Sequence, residues 1–303
     1  MKRLSSLLAG FAIATAAFAT DLTVVTYNLR YPNGGDAEAG NGWQQRMPYA
    51  ADQLQFIRPD VFGTQELYLS QINDLLEALP QYGYIGVGRD DGKENGEHSA
   101  IFYNRDNVRL VDSGNFWISE TPDTPSKGWD ANNVRICTWG HFETLDGTPF
   151  YYFNMHMDHI GVTARREGGR LILSKIKEIA PEGATVLLSG DFNVDQTSEV
   201  YNVFASSGIL ADSYEKAHYR FAPNGTYNAF KPQRTTPSRI DHIFVSPSVD
   251  VDRYAILTDM YWAPEAETPA QTDGNAPKEI KMKRSTLRNI SDHYPVVVKI
   301  SIK

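Results

Sequence analysis

The chain has a single cysteine, Cys137. No intrachain disulfide can form, so a fold of this length must rest on its core. Cys137 sits in a strand-like run over 134–139, with no helix N-terminus or histidine pairing evident beside it. That context reads as a buried structural thiol rather than a nucleophile. Positive charge is also in short supply: 29 Lys and Arg stand against 37 Asp and Glu, a net charge of −8. Gripping long nucleic acid by its phosphates draws on clustered Lys and Arg, so this balance argues against such a role. It leaves room for a nuclease with a local basic rim. Long apolar runs are missing too. The one candidate, residues 7–18, falls short of the roughly 20 residues that a membrane helix needs. No short-period repeat and no low-complexity segment occurs.

The apolar run follows Met1-Lys2-Arg3 and ends in Ala17-Phe18-Ala19. A basic start, a short apolar stretch and a small-x-small site read as a secretory signal peptide, with cleavage expected after Ala19 and a secreted or periplasmic destination. Lys2 and Arg3 would leave with it, making the remainder more acidic still. Residues 20–303 suit one large α/β domain or two small ones. Polar candidate residues come from both ends of the chain and must meet in space, which favours a single domain.

Hydrophobic patterning predicts strands over 22–29, 61–64, 82–88, 99–103, 108–117, 134–143, 150–156, 185–189, 240–246 and 294–300. Helical spacing appears over 43–57, 70–79, 163–180 and 198–206. Pro48 is expected in a first turn, placing the start of the first helix near it. Residues 31–42 and 261–284 read as loops. Asp146-Gly147 signals a hairpin.

Several apolar runs adjoin a polar residue suited to phosphate or metal chemistry: Tyr27-Asn28, Gln65-Glu66, Gly190-Asp191-Phe192-Asn193 and Ser291-Asp292-His293. Each reads as a buried strand delivering one functional group to a sheet edge. Glu66 is suited to Mg²⁺, which takes one or two carboxylates and keeps several waters. Asp191 can hold a metal or accept from its water. Asn193, two residues on, points to the same side of an extended segment and can donate to a phosphoryl oxygen. His293 titrates near neutrality and suits proton abstraction from water. Asp241, in Arg239-Ile240-Asp241-His242, is its candidate orienting carboxylate. His156-Met157-Asp158-His159 could form a transition-metal cluster. Alternation, however, puts His156 and Asp158 on one side and His159 on the other, which favours His156 as a phosphate donor with Asp158 or His159 in support. Asn28 can brace a phosphate or a metal ligand without adding charge. Arg165, Arg135 and Arg30 are the cationic candidates for a phosphate-facing rim.

Taken in order, Tyr-Asn-Leu-Arg at 27–30, Gln-Glu at 65–66, Asn-x-His-x-Asp-His at 154–159, Gly-Asp-Phe-Asn at 190–193, Arg-Ile-Asp-His-Ile-Phe-Val at 239–245 and Ser-Asp-His-Tyr-Pro-Val at 291–296 resemble the endonuclease/exonuclease/phosphatase superfamily of Mg²⁺-dependent phosphoesterases, and its exported bacterial members most closely. The resemblance implies a four-layer α/β sandwich, two mixed β-sheets packed face to face with helices outside. It implies Glu66 as a metal ligand, helped by Asn28 and by Asp292 or Asp191, with Mg²⁺ as the ion and Mn²⁺ as a substitute. It further implies Asp191 and Asn193 near nucleophile and phosphate, His156 as donor to phosphoryl oxygens, and His293 as general base held by Asp241.

The sequence departs from the Trp-x-Gly-Asp-x-Asn-Tyr-Arg and Pro-x-Trp-Cys-Asp-Arg strings of inositol polyphosphate 5-phosphatases, reading Leu188 to Asp195 and Pro237 to Asp241 there instead. The leading expectation is an exported phosphodiesterase. The alternatives are a nuclease of the same fold, a sphingomyelinase-like phospholipase, a phosphatase and, last, a non-catalytic binding module. Loops over 31–42, 89–97, 121–133 and 261–284 are expected to choose the substrate.

Overall fold

The computed structural model describes residues 19–265, 275 and 277–303. Apart from Ala19, the expected leader lies outside them, as does part of the expected loop over 261–284. In chain order the first half runs β1 (Thr20–Asn28), α1 (Gly34–Glu38), α2 (Trp43–Ile57), β2 (Val61–Gln65), α3 (Leu69–Ala78), β3 (Tyr82–Ile85), β4 (Ile101–Asn104), β5 (Val108–Trp117), β6 (Ile136–Thr144) and β7 (Pro149–His156). The second half runs α4 (Val162–Ile179), β8 (Val186–Asp191), α5 (Glu199–Ala205), β9 (Ala211–Asp212), α6 (Ser213–Lys216), β10 (Tyr219–Phe221), β11 (Asp241–Val245), β12 (Asp250–Ile256), β13 (Met260–Pro264), β14 (Ser285–Asn289) and β15 (Val296–Ile302).

Two large sheets form, ordered β10-β12-β15-β1-β2-β4-β3 and β5-β6-β7-β8-β11-β9. Both are mixed: β1 runs parallel to β2, β7 parallel to β8, and most other neighbours antiparallel. Three buried clusters mark the spaces between four layers. One lies between the sheets (Leu22, Val24, Tyr152, Leu187, Ile243, Val296). A second packs α4 and α5 on the six-stranded sheet (Phe153, Ile172, Leu188, Phe204). A third packs α2 and α3 on the seven-stranded sheet (Val25, Leu54, Phe62, Leu75). Strands covered on both faces read as unbroken apolar runs, which is why they were legible.

The inter-sheet layer changes character along its length. Successive inward residues follow period 2. They read Leu22, Val24, Thr26, Asn28 on β1, then Phe150, Tyr152, Asn154, His156 on β7, and Leu187, Ser189, Asp191 on β8. Each series passes from apolar through amide or hydroxyl to a titratable or amide terminus. β11 runs the other way and ends its series at Asp241. The middle tier is bonded within and across the sheets: Gln65 donates to Thr26 of its own sheet (3.1 Å) and to Asn154 of the other (2.8 Å), and Ser189 donates to the same Asn154 oxygen from the neighbouring strand (3.0 Å). Gly63 permits that approach, since a Cβ there would meet Asn154 Oδ1 at 2.3 Å.

Some local expectations need correction. α2 begins at Trp43, ahead of Pro48. Its start is fixed by Gln45 Oε1 accepting from Gly42 N (2.8 Å) and by buried Trp43 donating to Asp74 (2.7 Å). The loop expected over 31–42 contains α1, capped by Asn33. The loop expected over 261–284 begins inside β13, which pairs with β14. β12 went unforeseen because a bulge between Val251 and Arg253 breaks its alternation.

Candidate active site

The polar ends of β1, β2, β7, β8 and β11 open onto a cleft of about 670 Å³ whose lining includes Glu66, His156, Asp191, Asn193, Asp292 and His293. The chain turns sharply at these ends. Arg30 (φ 61°), Glu66 (φ 67°) and Asn193 (φ 50°) all adopt the left-handed conformation. Such strain in non-glycine residues clusters where function over-determines the backbone.

His293 forms one corner. Its Nδ1 lies 2.9 Å from Asp241 Oδ2 and its Nε2 lies 3.8 Å from Asp191 Oδ2. Burial alone would depress the imidazole, but Asp241 and Asp191 outweigh it and push the pKa up to about 10. Burial, reinforced by Asp241, raises Asp191 to about 7. Asp191 also accepts from Asn193 N (2.9 Å) and Asn28 Nδ2 (3.1 Å). Tyr227 packs edge-on against the His293 ring, 5.0 Å between centroids.

His156 forms the opposite corner, with Nε2 3.5 Å from Asp191 Oδ2. Burial, then the charges of Arg135 and Arg89, hold its pKa well below the ordinary value. The neutral ring meets Asn193 Nδ2 at 3.1 Å, and that amide also donates to Met157 O (2.9 Å). Asp158 lies behind, accepting from Asn133 N, Ile160 N, Gly161 N and Arg135 Nε. His159 bonds Arg135.

Glu66 and Asp292 form the third group. Arg30 Nη1 lies 3.8 Å from Glu66 and 3.7 Å from Asp292, so one cation already bridges both carboxylates. Burial raises Asp292, and the charge of Glu66 pushes the same way. Two partly desolvated carboxylates that share a cation and repel one another are a fitting donor set for Mg²⁺. Asp191, Asp241 and His293 also offer ligand atoms within 4.8 Å of one another. There, however, the imidazole already takes Asp241, so Glu66 with Asp292 is the better oxygen site. As placed, Asn28 turns its amide nitrogen to Glu66 (3.0 Å) and Asp191, and its carbonyl to Arg30 N (3.0 Å). It ties the carboxylates together and keeps its oxygen on the Arg30 N–H rather than turning it to a metal.

Arg165 does not join the cleft. Its guanidinium donates to Asp158 O (2.9 Å) and braces the start of α4. Arg30 and Arg135 do line the cleft. So do Tyr31, Tyr68, Arg89, Glu97, Asn132, Asn133 and Tyr227, none of which was singled out from the sequence. Five of them lie in three of the four segments expected to choose the substrate. The fourth, 261–284, contributes no lining among the described residues.

Residues 25–293 match the profile of the Endonuclease/Exonuclease/phosphatase family. The chain belongs to this family. Its members are phosphoester hydrolases that generally use a divalent metal. An endonuclease/exonuclease/phosphatase family protein from Bacteroides thetaiotaomicron is 51% identical, with a TM-score of 0.87 over 94% of this chain and 99% of that one. A mannosyl-6-phosphatase from the same organism is 52% identical, with a TM-score of 0.85 over 92% of this chain and 99% of that one. The curated relatives are matched over only part of their length. The chain spans 60% and 37% of two uncharacterized proteins of Acanthamoeba polyphaga mimivirus. It spans 54% of nocturnin from Xenopus laevis, to which it is 24% identical over 67% of its own length.

Proposed function

We propose that residues 20–303 form one exported domain that hydrolyses phosphomonoesters of sugars with a divalent metal, Mg²⁺ or Mn²⁺. The observation that carries the hydrolytic reading is the meeting of His156, Asn193, Asp191, His293 and Glu66 around one cleft. The sugar monoester takes precedence over the diester favoured from sequence because of the likeness to the mannosyl-6-phosphatase. Export rests on the leader-like residues 1–19.

In this reading Glu66 and Asp292 hold the metal, which supplies Lewis-acid stabilisation of phosphoryl oxygen charge. His156 and Asn193 are the phosphoryl ligands in this reading; the Asn193 amide donates to His156 Nε2 and Met157 O, so a phosphoryl oxygen would displace the amide–imidazole bond to be held by the pair. Asp241, His293 and Asp191 handle the proton. Water attacks phosphorus and gives its proton to Asp191, since His293 already holds one; the P–O bond to the sugar breaks, and the leaving alkoxide takes a proton from solvent to become the sugar hydroxyl.

The test compares mannose 6-phosphate with bis-p-nitrophenyl phosphate, with and without Mg²⁺. Metal-dependent release of phosphate from the monoester is expected. Turnover of the diester alone would overturn the monoesterase reading in favour of a phosphodiesterase, and turnover of neither would overturn both.

A further inference from the structure

A phosphate group occupies only part of a 670 Å³ cleft, and the remaining walls differ in chemistry. On the side of the seven-stranded sheet, Tyr31 follows β1 and Tyr68 opens α3. Their rings stack with centroids 6.3 Å apart and planes 26° apart. Arg30 lies over the Tyr31 ring at 4.7 Å. The pair is held by buried Gln71, whose Oε1 accepts from Tyr68 N (3.1 Å) while its Nε2 donates to Arg30 O (3.0 Å). Tyr68 is nonetheless 39% exposed. On the side of the six-stranded sheet stand Asn132 and Asn133, just before β6. Neither side-chain amide bonds to the described residues, although Asn133 N is anchored on Asp158 (3.0 Å). One wall is thus a fixed aromatic surface and the other a pair of free amides.

A pyranose has the matching anatomy: a C–H face that packs on an aromatic ring and a rim of hydroxyls that need donors and acceptors. The geometry points to a pyranose subsite beside the phosphate, with Tyr68 backed by Tyr31 as its platform and Asn132 and Asn133 as its hydroxyl wall. This assignment rests on the phosphatase reading above. It makes Tyr68 a specificity residue for the sugar, distinct from the groups that handle phosphorus.

The experiment compares kcat/KM for mannose 6-phosphate with that for ethyl phosphate, which has no ring to stack. Wild type is expected to prefer the hexose phosphate. Tyr68→Ala should shrink that preference about three- to tenfold, through KM, and Tyr68→Phe should restore it, since the ring rather than the hydroxyl does the packing. Asn132→Ala combined with Asn133→Ala should shrink it independently. Equal use of both esters by wild type would leave the phosphatase standing and overturn the subsite. So would an unchanged preference in a folded Tyr68→Ala protein, or a Tyr68-dependent preference for 5′-mononucleotides over hexose phosphate. Failure to cleave any monoester would overturn the phosphatase reading, and the subsite with it.

Discussion

His156 and His293 are both buried, both sit at the polar end of the inter-sheet layer, and both lie within 4 Å of the same Asp191 oxygen. Their protonation nevertheless runs in opposite directions. Around His156, burial acts together with Arg135 and Arg89, and the ring stays neutral. Around His293, burial is opposed by Asp241 and Asp191, and the ring is driven to hold a proton. Residue type does not assign a role; the sign of the surrounding charge does. A neutral ring beside an amide suits phosphoryl recognition, and a ring clasped by carboxylates suits proton handling.

The largest expected effect does not depend on which histidine is altered. Chelation with EDTA should abolish phosphate release, and added Mg²⁺ should restore it. Persistence of activity in EDTA would remove the role given to Glu66 and Asp292. Next, His293→Ala should lower kcat by on the order of 10²–10⁴ with little change in KM, measured at saturating metal. A smaller loss falls at the other corner. His156→Ala should cost about 10²–10³ in kcat/KM, the scale of removing one preorganised ligand of a charged transition state. If the two variants lose activity in the same way and to the same extent, the division between corners fails.

The smallest effect concerns stability behind the His156 corner. Burial would raise Asp158, but the N–H groups of Gly161, Asn132, Asn133 and Ile160 outweigh it and hold its carboxyl well below the ordinary range. A depressed carboxylate stabilises the fold above its unfolded pKa of about 3.9, and that contribution fades as pH falls through the lower folded value. Asp158→Asn should therefore cost about 2–4 kcal/mol at pH 7, partly by leaving Arg135 short of its carboxylate. It should also flatten the acid side of the denaturation curve below about pH 4. Parallel curves for variant and wild type would contradict this account.

Strand ends were the legible part of the site. Asn28, His156, Asp191 and Asp241 could be found because each terminates an apolar run and period 2 fixes the side it faces. The same two-sided burial made the strands readable, whereas the four-layer arrangement was legible only through the family resemblance. Loop residues carry no such periodicity, so Tyr31, Tyr68, Asn132 and Tyr227 were not singled out, although the segments holding two of them, Tyr31 and Asn132, were. Arg165 misled for a related reason: charge type alone does not say where a long side chain goes, and a backbone carbonyl of the adjoining turn claimed it. β12 was hidden by its bulge, which offsets one register step.

The most direct test of the central claim is phosphate release from mannose 6-phosphate by wild type and His293→Ala, each at saturating Mg²⁺ and in EDTA. The account predicts full turnover only for wild type with metal, none for either protein in EDTA, and His293→Ala with metal folded but slowed by at least about a hundredfold. Wild-type rates in His293→Ala, or rates indifferent to EDTA, would contradict it.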